Sequence, residues 1–86
     1  MVLDLIIVRS DDGVTAEIPS LKGCESWAHE EEEVIEKSIE LLRYYLNLSE
    51  ETEIKIDKAR GNKIKTIYKL VFNKDLPWKN SKQKKD

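Results

Sequence analysis

The sequence is poor in the residues that usually carry chemistry. It holds one cysteine and one histidine among 86 residues. A lone cysteine cannot close an internal disulfide, and no cysteines stand at metal-ligand spacing. A lone histidine leaves a metal ion short of nitrogen and sulfur ligands, so His29 with Glu32 or Glu33 is not expected to make a metal site. No metal and no other cofactor is expected. A nucleophile needs a base and a group to orient that base, and no Ser/His/Asp or Cys/His arrangement is legible. Cys24 reads as a small buried apolar residue, and the chain is not expected to be an enzyme. Long apolar runs are missing too. The stretch Met1 to Arg9 is too short for a signal peptide or a membrane span, so a soluble, cytoplasmic protein without membrane contact is expected.

What is present is a clear alternation of short patterns, enough for one small domain over residues 1–72. Val2 to Val8 is apolar on both of its faces, with Leu3, Leu5 and Ile7 on one and Val2, Ile6 and Val8 with Asp4 on the other. That pattern suits a strand that is central in its sheet or covered on both sides. Asp11-Asp12-Gly13 is a hairpin signal, and Val14, Ala16 and Ile18 then alternate with Thr15 and Glu17 as a second strand. Pro19 biases Ile18 away from the helical region and ends that strand, while Gly23 permits a backbone conformation that a Cβ would resist. Cys24 to Ala28 makes a short third strand. Val34, Ile35, Ser38, Leu41, Leu42, Tyr45 and Leu46 then fall at the three-and-four spacing of an amphipathic helix, with Glu30 to Glu33 favoured in its first turn by the helix dipole. Glu53 to Lys58 reads as a fourth strand, Ala59 to Asn62 as a turn and Ile64 to Phe72 as a fifth strand. From residue 73 to residue 86 periodicity stops in a lysine-rich tail expected to be disordered on its own. The order is β-β-β-α-β-β, an α+β fold with an antiparallel-rich sheet and one helix on a face.

Charge is balanced overall at −2 but not along the chain. Residues 25–53 carry ten acids against Lys37 and Arg43, and residues 54–86 carry eleven bases against three acids. Such asymmetry points to partners, although solvated helix faces are often acidic and strand edges often rich in lysine. Chains of this length bury only about 60% of their unfolded surface, which makes a partner or oligomer useful for stability. One helix covers one face of a sheet. Val2, Ile6, Val8, Ile67 and Val71 are the candidates for the other face, and together they would form an apolar interface patch in a homodimer or larger oligomer.

Asp11-Asp12-Gly13, then Ile18-Pro19-Ser20-Leu21-Lys22-Gly23-Cys24, then Glu32-Glu33-Val34-Ile35 at the head of the helix resemble the small HicB-like antitoxin domains. The family runs strand, acidic-Gly turn, strand, Val-Pro-Asp-Leu-Pro-Gly-Cys, short strand and amphipathic helix. The likeness spans roughly residues 5 to 46. Here Ala28-His29-Glu30 stands where the family has Gly-Asp-Thr, and Lys22 where it has its second proline. The resemblance implies a reduced ribonuclease-H-like unit, and the acidic residues that an active ribonuclease H needs for two metals are not recognisable in this sequence as a set. It also implies an antitoxin that neutralises a small HicA-type mRNA-cleaving toxin. Trp27 as an apolar anchor, with Glu30, Glu33, Glu36 and Glu40 facing a basic toxin, is the partner-binding set this suggests. No helical pair follows the Ile64 to Phe72 strand, so autonomous operator binding is not expected.

Two alternatives stand beside this reading. Lys63, Lys65 and Lys69, with their basic neighbours and the tail, are placed to contact nucleic-acid phosphates, with Trp78 to stack on bases. The net acidity weighs against that, because a basic domain is the usual footprint. A stand-alone oligomeric module, in which acidic and basic segments of neighbouring subunits meet, accounts for the charge split without any toxin.

Overall fold

The computed structural model describes residues 1–73; the tail beyond them, with Trp78, lies outside the described residues. The elements are β1 (Val2–Arg9), β2 (Val14–Glu17), β3 (Glu25–Ala28), α1 (Glu31–Leu46), β4 (Lys55–Gly61) and β5 (Lys65–Val71). The strands form one antiparallel sheet in the order β3-β2-β1-β5-β4. The α+β order read from the sequence is therefore the observed one, and the strand apolar on both faces is the central strand.

Leu5 and Ile7 of β1, Leu70 of β5 and Val34 and Leu42 of α1 are fully buried in the core, together with Ile18. Burying one such side chain stabilises by roughly 1.5–3 kcal/mol. The helix lies over β2 and β3. Leu48 and Ile54, in the segment between α1 and β4, pack against the same cluster. Ser38 is the polar member of the buried helix stripe, and both of its needs are met. Its Oγ donates to the Val34 carbonyl at 2.8 Å and lies 3.0 Å from the Ser26 hydroxyl of β3. Tyr45, grouped with the buried stripe by spacing, is instead 42% exposed, whereas Ile39 packs on the core.

Local chemistry explains where elements stop. The loop between β2 and β3 closes on itself through Leu21 N–H to Ile18 O, Cys24 N–H to Leu21 O and Ile18 N–H to Cys24 O. Gly23 takes φ +82° there, and a Cβ on it would lie 3.3 Å from the Tyr45 hydroxyl. Gly13 serves by close approach, because a Cβ would come within 2.7 Å of both the Ala28 carbonyl and the Trp27 ring. The helix ends at Asn47, which is left-handed (φ 54°). Its N–H bonds the Tyr44 carbonyl and the Leu48 N–H bonds that of Arg43, the paired bonds of a Schellman cap with asparagine in glycine's usual place.

The second hairpin corrects the expected turn at Ala59 to Asn62. β4 runs on through Gly61, its register shifting between Lys58 and Arg60, so that an extra residue is absorbed as a bulge. The chain reverses at Asn62, whose side-chain oxygen accepts the N–H groups of Ile64 and Lys65, both at 2.9 Å. Ile64, expected to open the fifth strand, lies in this turn and is 64% exposed.

Candidate interaction surfaces

Directly opposed residues in a ladder share a face, so the pairings sort the sheet into two sides. Leu3, Leu5 and Ile7 pair with Leu70, Tyr68 and Thr66 on the helix side. Val2, Asp4, Ile6 and Val8 pair with Val71, Lys69, Ile67 and Lys65 on the open side. All five residues expected to form a second apolar face are therefore together on the two strands at the middle of the sheet. Val2 and Val8 are exposed, and Ile6, Ile67 and Val71 are half-buried. An ion pair between Lys69 and Asp4 crosses the middle of this patch at 2.5 Å.

Trp27 joins this patch. Its neighbours Ser26 and Ala28 face the helix, whereas Trp27 opposes Thr15 on the open side and is 44% exposed. With Ile6, Val8, Thr15, Glu17 and Glu25 it borders a shallow depression of the sheet. Its indole meets the His29 ring edge-to-face at 4.7 Å between centroids.

The acids grouped with Trp27 by sequence lie on the other side of the molecule. Glu33, Glu36 and Glu40 are exposed along α1, with Glu30 exposed at its N-cap. Tyr44, one turn past Glu40, is 83% exposed. Lys37 interrupts the acid row. It lies 4.0 Å from Glu33 and donates to the Trp27 carbonyl at 3.0 Å. The candidate partner set therefore divides into an acidic, tyrosine-ended helix face and an aromatic on the opposite sheet face.

Of the basic set, Lys65 and Lys69 lie on the open sheet face and Lys63 in the Asn62 turn. The pairings give that face four bases, Lys55, Arg60, Lys65 and Lys69, and four acids, Asp4, Glu17, Glu25 and Asp57. It has no net charge.

Sequence reasoning missed one polar cluster, where α1 meets β1 and β5. Arg9 donates to Glu31 through Nε at 2.9 Å and to Thr66 Oγ1 at 2.6 Å, while the Tyr68 hydroxyl donates to the other Glu31 oxygen at 2.5 Å. The Tyr68 hydrogen bond, with help from the Arg9 guanidinium, holds the Glu31 carboxyl below the usual range, and the same bond pushes the Tyr68 phenol up. Every polar group in the cluster is satisfied by another, so it acts as a clamp between helix and sheet. A single arginine ending an apolar strand is the signal that was available. Burial pushes the Cys24 thiol up, away from the thiolate that a nucleophile needs. Among the described residues no three His, Cys, Asp or Glu side chains are grouped to hold a metal ion, and no helix is long and apolar enough to cross a membrane.

Compared with known proteins, the chain matches no family model, no curated protein and no solved structure.

Proposed function

We propose that this chain is a non-catalytic protein-binding module, a HicB-like antitoxin that neutralises a small, basic, mRNA-cleaving toxin of the HicA type. The observation that carries this reading is the exposed face of α1. Glu33, Glu36 and Glu40 stand on it with Tyr44 beyond, and none of the four is used in the core. A ribonuclease that grips RNA presents basic surface, and an acidic helix meets it with the right sign. Tyrosine supplies a large, stiff contact surface of the kind that dominates interface energetics. The first five elements, in the order β-β-β-α-β, with an acidic-Gly hairpin and a Pro…Gly-Cys loop ahead of the helix, support the family assignment. The nucleic-acid alternative draws less support, because the open face that holds Lys65 and Lys69 carries as many acids as bases.

The test is capture of the tagged protein's partner from its own cells after nuclease treatment. The expected result is one small basic protein in near-equal amount, whose ribonuclease activity this chain suppresses in vitro. The double variant Glu36→Lys/Glu40→Lys should lose that capture. Recovery of this chain alone, or of a partner held equally well by the double variant, would sink the reading.

A further inference from the structure

We propose that two copies of this chain pack open face to open face, related by a two-fold axis along the central strand β1. The inference is independent of any toxin. The register aligns Glu25, Glu17, Ile6, Ile67 and Arg60 in one row across the sheet, running from acid through apolar to base. Within one chain that row is poorly matched. Glu17 and Glu25 oppose each other directly, and like charges so placed are destabilising. Neither of them, nor Arg60 or Lys65, has an ion-pair partner among the described residues.

A rotation about an axis along β1 lays each strand left of centre over its counterpart right of centre. Ile6 then meets Ile6 of the second copy, Glu25 meets Arg60, and the acidic edge of each copy covers the basic edge of the other. An axis across the strands would set Glu25 on Glu25 and is excluded by charge. Both arrangements keep the strands aligned, as face-to-face sheets require, so charge decides between them. The second copy also covers Val2, Val8 and Val71, an apolar surface on the strands least able to shed it. A net-neutral face with opposite signs at its two edges suits a copy of itself better than a partner of one charge.

Sedimentation of the full chain over a wide concentration range tests this. Wild type is expected to form a dimer. Ile6→Lys, with its fold checked by circular dichroism, should weaken it by roughly tenfold or more, as loss of a central apolar anchor does. Glu25→Arg and Arg60→Glu should each weaken it, because each sets like charges against one another across the interface. An equimolar mixture of the two variants should restore it, since in the mixed dimer both substituted positions again face a group of opposite sign. Carbodiimide cross-linking should join Glu17 or Glu25 to Lys65 between chains. A wild type that stays monomeric throughout overturns the proposal. So do Glu25→Arg and Arg60→Glu variants that dimerise as well as wild type, or inter-chain links confined to the helix glutamates.

Discussion

Glu31, Glu32 and Glu33 are indistinguishable in the sequence, yet only Glu31 reaches a guanidinium and a phenol. Its folded pKa is depressed, so its contribution is present above the unfolded carboxylate value of about 4.3 and is lost as pH falls through the folded value. Glu31→Gln should lower stability at neutral pH by on the order of 1 kcal/mol, a figure already reduced for partial exposure of the pair. It should also flatten the acid limb. Urea midpoints at neutral and acid pH would differ less for the variant than for wild type, and parallel curves would mean that the clamp contributes nothing. Gly23 is the second residue whose identity the backbone dictates, with φ +82° and the Tyr45 hydroxyl close to where a Cβ would stand. Gly23→Ala is expected to cost about 1 kcal/mol or more, read as a lower urea midpoint at an unchanged slope.

The second hairpin shows how far sequence carries an element. Alternation found β5 and most of β4, and apolar content on both faces marked β1 as central or doubly covered, of which the sheet order shows the first, because period-two patterns reflect burial directly. The turn was misplaced for a physical reason. A bulge near Ala59 keeps the ladder going past the residues whose composition suggests a reversal, and the Asn62 side chain, not glycine, folds the chain back. Asn62→Ala should therefore destabilise by about 1 kcal/mol, with early hydrogen exchange confined to the end of β4 and the start of β5. Uniform loss of protection across the sheet would contradict a local role. The helix was legible along its length, although spacing alone put the exposed Tyr45 in its buried stripe and left out Ile39. Periodicity does not say which side of β3 meets the helix. Trp27 was therefore grouped with Glu36 and Glu40, although the sheet separates them.

At the scale of the whole molecule, the described acids divide between an acidic helix face and a neutral sheet face. The acids of α1 stand outside on one side, while Glu17 and Glu25 belong with Lys65 and Arg60 on the neutral open face. A dimer joined through its open faces has four layers, helix, sheet, sheet and helix, and both acidic helix faces remain outermost. The proposed toxin capture and the proposed self-association would then use surfaces that share no residue, and well-separated changes act nearly independently. Glu36→Lys/Glu40→Lys should abolish capture of the basic partner while sedimenting as wild type. Ile6→Lys, at concentrations where its weakened dimer dissociates, should still bind that partner one to one, with the loss of avidity seen only on a surface that holds many copies. If Ile6→Lys lost the partner as well, the open face rather than the helix would be where the partner sits, and the two surfaces would have to exchange roles.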